Sequence, residues 1–502
     1  MSLTPIQTKD NDTHAGGGVN GAIDLAVVLA YVAFVAVLGT VLGRQQKDAQ
    51  DYFLADHSIP WWAACFSLVA TETSALTVVS VPATAYTGDL WMLQLAAGYL
   101  LGRIAISVFL LPGYFRGEIA TAYVLLERRF GQDARRLASL VFLVTRVLAD
   151  AVRIFATAIP LGLITGMPVW ASILSIGIFT LVYSYYGGLR AVVWVDVAQM
   201  FIYIVGGIAV LWVVLGLIPG GWGGLVQVAG DAGKLRVIHL DGGFSQANWL
   251  FTGLVGGAFL TMASHGADHL IVQRLLASPS LRDARRAIIG SAVIVIGQFA
   301  LFLLIGAGLW VFYEGRTWDT PDAIFPRFTL DHLPPGVSGL VVAAILAAAM
   351  SSSLNALAAV SVHDLYVPLR GKKDEAHLLG VGKRFTLLWG VVMIAVSLAF
   401  QLIAKGTPLV VIALQIASFT YGGLLGGFLL GLISKRADGR DAVTGMGVAV
   451  AGMTLLWALQ QFGAIPKVVD TLWFALLGSA ITVAVGEASA RMRGSRGVMV
   501  AG

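Results

Sequence analysis

The chain has 502 residues, of which 57% are apolar and only 12% charged, with a mean hydropathy of +0.82; soluble domains carry roughly 25% charge. The formal charge of +5 is spread over short loops rather than gathered in a patch or arm, which argues against a nucleic-acid-binding protein. One cysteine, Cys65, in an apolar segment excludes a disulfide framework.

Residues 1–20 are polar and Gly-rich, with no charged stretch leading into an apolar one, and predict a polar extracytoplasmic tail rather than a cleaved signal. Apolar runs long enough to cross a ~30 Å hydrocarbon layer then follow at 21–43, 60–88, 90–113, 138–165, 168–187, 189–218, 246–276, 283–313, 335–364, 379–404, 408–434, 443–464 and 466–490. They predict an all-α membrane protein of thirteen transmembrane helices, ending in a basic tail at 491–502. An odd count puts the termini on opposite sides. With the N-terminus outside, 23 of the 33 basic residues fall in cytoplasmic loops, 7 outside and 3 within spans. The positive-inside rule thus predicts N-out and C-in, in a plasma or inner membrane. No stretch remains for a soluble domain of useful size, which disfavours an enzyme or a sensor on a membrane anchor.

Charge and irregular backbone at membrane depth are tolerated mainly where they line a cavity or bind something. The second run holds Ser67-Leu-Val-Ala-Thr-Glu-Thr-Ser-Ala-Leu-Thr77, with Glu72 among five hydroxyl residues. A break there would offer carbonyls to a cation; the alternative is an intact helix with Glu72 paired to an arginine. Arg146, Asp150 and Arg153 share a face of the fourth run and leave one arginine in excess of their single carboxylate. Asp196 stands near the start of the sixth run, where Arg190 is a simple partner. The ninth run holds Met350-Ser-Ser-Ser-Leu-Asn355. His265 and His269 have the i, i+4 spacing of a metal pair but lack the glutamate of the zinc-protease pattern, so no metal site beyond a coupling cation is expected, nor any cofactor.

Several stretches together resemble the sodium:solute symporter family. Gly187-Gly-Leu-Arg-Ala-Val-Val-Trp-Val-Asp-Val-Ala-Gln199 is similar to the family signature GG-x-x-AV-x-WTD-x-x-Q, with Val195 in place of Thr. Asp268-His-Leu-Ile-Val-Gln-Arg-Leu-Leu-Ala277 is similar to DQ-x-x-VQR-x-LA, with His269 for Gln. Leu354-Asn-Ala-Leu-Ala358, Asp364-Leu-Tyr366 and Tyr421-Gly-Gly-Leu-Leu-Gly-Gly-Phe-Leu-Leu-Gly431 resemble later motifs, so the likeness runs from about residue 21 to 434.

The resemblance implies a five-plus-five inverted repeat, about 60–218 and 246–434, with one helix before and two after, all within one transporter domain at 21–490. It places substrate between broken second and seventh spans, and sodium at Ala70, Thr73, Ala348, Ser351 and Ser352. Counting forward from Pro335-Gly336 gives that serine pair; counting back from Leu354-Asn355 gives Ala348 and Ala349, and the forward register keeps hydroxyl ligands. Asp196, Ser353 and Glu72 are the candidates for a second cation or proton site. Arg153 stands near a substrate arginine of sialic-acid-carrying relatives, and a guanidinium suits a carboxylate. Thr77, Gln94, Gln415, Ser418 and Tyr421 complete the expected cavity. The expectation is sodium-coupled symport, with a proton as the alternative ion, of a small organic anion such as a monocarboxylate, by alternating access. A sugar or amino-acid symporter is the alternative, and a non-transporting sensor a further one. The lipid bilayer and the solute are the expected partners, with no obligate protein partner.

Overall fold

The computed structural model describes residues 20–43, 49–73, 75–116, 120–318, 321–349, 353–371, 374–403 and 409–500, which form helices joined by short turns. Helix is what an apolar chain adopts where no water can satisfy its backbone. The body consists of α1 (Asn20–Gly43), α2 (Trp61–Glu72), α3 (Ala75–Thr87), α4 (Met92–Ala105), α5 (Gln132–Thr165), α6 (Val169–Leu217), α7 (Gly257–Gly266), α8 (His269–Leu276), α9 (Leu281–Phe312), α10 (Val337–Ala349), α11 (Ser353–Val360), α12 (Glu375–Ile403), α13 (Leu409–Ile433), α14 (Gly439–Gln461) and α15 (Phe474–Val500).

Among the described residues six helices are long and apolar enough to cross a membrane, or seven if the bent pair formed by α2 and α3 is counted as one span. Thirteen separate crossings are therefore not established, for identifiable physical reasons. The runs at 168–187 and 189–218 are joined in the 49-residue α6, which kinks at Gly188 (φ 57°), a left-handed conformation that glycine adopts without strain. The helix α5 carries Arg146, Asp150 and Arg153 at its middle. The seventh run is split between α7 and α8, and the ninth passes through residues 350–352, which lie outside the described residues. The basic segment after 490 continues α15 as helix to Val500, with Arg493 paired to Asp438 and Asp441. Residues 1–19 lie outside the described residues.

Two breaks shape the centre. The helix α2 stops at Glu72, Thr73 is extended (φ −68°, ψ 113°), and the axis turns by 60° into α3. After α7, Asp268 is extended (φ −79°, ψ 122°) and caps α8 by accepting from Leu270 N at 2.8 Å. The helix α4 packs against α7 so closely that a Cβ on Gly98 or Gly102 would run into the carbonyls of Gly253 and Ala258. Outside the central helices, α1 contributes Asp24, whose carboxylate accepts from Gly336 N (2.7 Å), Gly339 N (2.9 Å) and Ser338 Oγ (2.8 Å), placing a negative charge at the N-terminus of α10.

The connection from α6 to α7 folds over the corner between α3 and α4. Lys234 Nζ donates to the Tyr86 carbonyl (2.8 Å), Leu90 N to the Arg236 carbonyl (3.1 Å), and His239 Nε2 stands 2.8 Å from Asp89 Oδ2. Burial draws the Lys234 ammonium below the usual lysine range, with Asp89 pulling the other way. Beside this segment, Trp91 just before α4, Leu95 of α4, Ala247, and Trp457 and Gln460 of α14 border a cavity of about 390 Å³.

Candidate functional site

The break after α2 is where the charged residues of the interior converge, and they form three groups. In the first, Glu72 at the end of α2 is ion-paired with Arg103 of α4, whose Nη1 donates to Ser291 Oγ (2.6 Å), and His265 Nε2 of α7 lies 3.5 Å from the carboxylate. The sequence posed a broken helix and an arginine-paired Glu72 as alternatives; both occur together. Arg103 is fully buried, and a buried pair of this kind holds only with good geometry and further hydrogen bonds.

In the second group, Asp196 of α6 accepts from Ser67 Oγ (2.6 Å) and from Arg274 Nη2 (3.0 Å), while Arg274 Nε also donates to Ser67 Oγ (2.8 Å). The partner of Asp196 is thus Arg274 rather than Arg190, which instead faces Asp51 at 3.2 Å. The helix turn carrying Asp196 faces α2, not the chain segment just before it. Glu72 and Asp196 share no partner among these contacts. Ser353, at the first turn of α11, is buried.

The third group spans both breaks. Arg146 grips Asp150 through two hydrogen bonds of 2.8 Å and lies 3.5 Å from Asp268, the capping residue of α8. Tyr421 of α13 donates its hydroxyl to the same Asp268 carboxylate. Arg153 Nη1 donates to the Thr71 carbonyl at 3.0 Å and stands 3.9 Å from Asp150. The excess arginine read from α5 alone is therefore corrected: Asp268, far away in sequence, supplies the second carboxylate. Yet Arg153 is held by a helix-end carbonyl rather than by a close carboxylate contact, and its side chain is 18% exposed.

A helix that ends inside the protein leaves its last carbonyls without intrahelical donors. Arg153 takes that of Thr71; Ala70 and Thr73, both buried, flank it. Thr73 N closes the last turn on the Val69 carbonyl (2.8 Å), and its hydroxyl donates to Gln298 Oε1 (2.9 Å) on α9. Ser351 and Ser352 lie outside the described residues, as do the side chains of Ala348 on α10 and of Gln415 and Ser418 on α13. Thr77 lies half-buried on α3. Gln94 Nε2 donates to the Asn248 carbonyl (2.9 Å) and its Oε1 accepts from His239 N (3.2 Å), so both ends of the amide bond the α6–α7 connection.

His265 and His269 fall on opposite sides of the Asp268 break; the second accepts from Ala122 N at 3.3 Å through Nδ1. Among the described residues no group of His, Cys, Asp and Glu could hold a metal ion.

The two helix breaks, after α2 and after α7, are thus linked through Arg146, Asp150, Arg153, Asp268 and Tyr421, and comparison with known proteins identifies the family. The sodium:solute symporter family profile matches residues 52–449. The chain belongs to the sodium:solute symporter family. The sodium/sialic acid symporter NanT of Aliivibrio fischeri is 26% identical over 493 residues, covering 94% of each chain. The human sodium/iodide cotransporter is 29% identical over 460 residues, covering 86% of this chain and 69% of that one. The solved structure of a Na+-coupled sialic acid symporter in a substrate-bound, outward-open state superposes with a TM-score of 0.84 at 25% identity, over 94% of this chain and 98% of that one. As a sodium:solute symporter this protein is a multi-pass membrane protein that couples solute movement to sodium. Sequence reasoning missed four of the site's members: Asp268 and Arg274 were visible only as motif letters, Ser67 only as one of several hydroxyls, and Arg103 as an isolated basic residue. Nothing in their local spacing links them to Glu72 or Asp196, because each contact joins different helices.

Proposed function

We propose that this symporter takes up a small organic anion, with the solute carboxylate received by Arg153 at the α2 break. The observation that carries this reading is the Arg153 guanidinium, anchored by one hydrogen bond to the Thr71 carbonyl while Asp150 is committed to Arg146 by two. A guanidinium offers a carboxylate two parallel donors, and a charge at membrane depth whose nearest carboxylate, Asp150 at 3.9 Å, is already doubly bound to Arg146 has a use there. The similar proteins named above carry sialic acid and iodide, both anions.

The rest of the proposal follows the family resemblance. Ten of thirteen spans form two five-helix repeats, about 60–218 and 246–434, with one helix before and two after, within 21–490, with the N-terminus outside. The coupling sodium sits among the Ala70 and Ala348 carbonyls, Thr73, and the hydroxyls of Ser351 and Ser352, with Asp196 and Ser353 as a second cation site. Tyr421 and Thr77 face the solute together with Gln415 and Ser418, and Gln94 joins them once the α6–α7 connection releases it. Glu72 supports the break through Arg103 rather than carrying a proton, since its charge is already balanced. A reporter after Gly502 should read cytoplasmic, and one within 219–245 extracytoplasmic; the reverse pattern overturns the orientation.

Counterflow of labelled carboxylates, sugars and amino acids in proteoliposomes, with and without sodium, tests the reading directly. It expects sodium-dependent exchange of a carboxylate that Arg153→Ala abolishes. Exchange of a neutral solute unaffected by that substitution would overturn the anion assignment, and uptake driven by a pH gradient and abolished by Glu72→Gln would make the ion a proton.

A further inference from the structure

The segment Ser280-Leu-Arg-Asp-Ala-Arg-Arg286 opens α9, with Ser280 as its cap: the serine hydroxyl accepts from Asp283 N (3.2 Å) and donates to Asp283 Oδ2 (2.7 Å). Positions 282, 286, 289 and 293 recur at helical spacing and so share one face. Along that face the character changes from arginine to apolar, and Val293, 59% exposed, belongs to the surface that meets lipid tails. Where the arginines begin, α9 and α2 diverge. Gly290 marks the base of the wedge, since a Cβ there would come within 3.2 Å of Cys65 Sγ on α2. Towards the helix starts the two separate, leaving a groove of about 920 Å³ lined by Trp61, Arg282, Arg285, Arg286, Ile289 and Gly290.

The charge in this groove is not balanced by the protein. Three arginines face one carboxylate, Asp283, which lies 3.9 Å from Arg286, giving 3 − 1 = +2. Arg285 gives Nε to the Ser107 carbonyl (2.9 Å) in the π turn following α4, and Arg282 has no protein partner among the described residues. Trp61 closes the other wall, 41% exposed, and tryptophan concentrates where hydrocarbon gives way to head groups. Beside the Ser107 anchor, Val108 and Phe109 are 53% and 61% exposed, so the groove continues into apolar, lipid-facing surface on that side too.

We propose that this groove holds an anionic phospholipid, its phosphate against Arg282, Arg285 and Arg286 and its acyl chains along Ile289 and Val293. Three features select this occupant together: cationic donors suited to a phosphodiester, an interfacial tryptophan, and uninterrupted passage from the charged end into the lipid-facing face of α9. A soluble anion would use only the first. The lipid would act as a wedge between α2, whose far end carries the site break, and α9, whose Gln298 holds Thr73.

The test uses the full chain, purified and delipidated in a neutral detergent. Phosphatidylglycerol, phosphatidylcholine with the same chains, and soluble glycerol phosphate are titrated separately, with thermal unfolding and lipid adducts in native mass spectrometry as readouts. Phosphatidylglycerol is expected to raise the melting temperature and remain as a single adduct, and the other two to do neither. Arg282→Gln with Arg286→Gln should weaken that protection about tenfold or more, leaving the lipid-free melting temperature within about a degree, since neither residue makes a close contact with the protein. Equal protection by phosphatidylcholine, equal protection by glycerol phosphate, or full protection of the double variant would each overturn the proposal.

Discussion

Two charge clusters meet at the same helix break, and they are built on opposite principles. Around Glu72 the arrangement is closed: Arg103 pairs with the carboxylate and bonds Ser291, and His265 fills the remaining side. Around Arg153 it is open: Asp150 is doubly bound to Arg146, Asp268 is shared by Arg146, Tyr421 and the cap of α8, and Arg153 rests on a carbonyl. A closed cluster at membrane depth stabilises a fold, whereas an open one can exchange a protein contact for a ligand contact at little cost. The difference is read from partner counts, not from burial, since both clusters are interior.

The comparison is broken most forcefully at Arg103. Arg103→Ala strands Glu72 without its main counter-ion, a loss of about 3–5 kcal/mol for a buried pair, and should abolish folded protein in a thermal-unfolding assay; a stable, active variant would show that the cluster is not closed. Next comes Arg153→Ala, expected to weaken binding of an anionic solute by about 1.5–3 kcal/mol, the scale of a charged hydrogen bond, while the melting temperature stays near that of the parent. Arg153→Lys should lie between, because an ammonium is a point charge. Isothermal titration and unfolding on the same preparations decide this, and a stability loss with unchanged solute affinity makes Arg153 structural. Ser351→Ala with Ser352→Ala should cost about 1 kcal/mol for each lost hydroxyl ligand, seen as a higher sodium requirement for uptake; unchanged sodium affinity would favour the register with Ala348 and Ala349. The smallest effect is expected from Tyr421→Phe, about 1 kcal/mol, read as reduced solute affinity through a less well held Asp268.

Much of this was legible in the sequence, and what was not follows a pattern. Long apolar runs and motif spacing gave the helical class and the family, because these depend on residues close in the chain, while the segment around Glu72 left a break and an intact helix equally open. Partner choice was not legible. Asp196 prefers Arg274 over the nearer Arg190, and Asp150 and Asp268 together balance Arg146 and Arg153, because helix packing brings distant residues within 4 Å while carrying neighbours apart. The kink of α6 at Gly188 lay in the Gly187-Gly188 signature, yet nothing local told a kink from a loop. Gln94 was recognised as a polar residue near the cavity, but its donors and acceptor are backbone groups of another segment, which have no sequence signal at all.

The double hold of Gln94 on the α6–α7 connection bears on pharmacology. On the proposed orientation, a compound arriving from outside meets a segment tied down by hydrogen bonds from Lys234, Leu90 and Gln94. An inhibitor too bulky to slip beneath must await its spontaneous detachment, so inhibition should develop slowly, with an onset rate that levels off as dose increases, whereas a small rapid blocker would act at once. Gln94→Ala should shorten that lag without altering final potency to the same degree, turning a slow-onset inhibitor into a fast one.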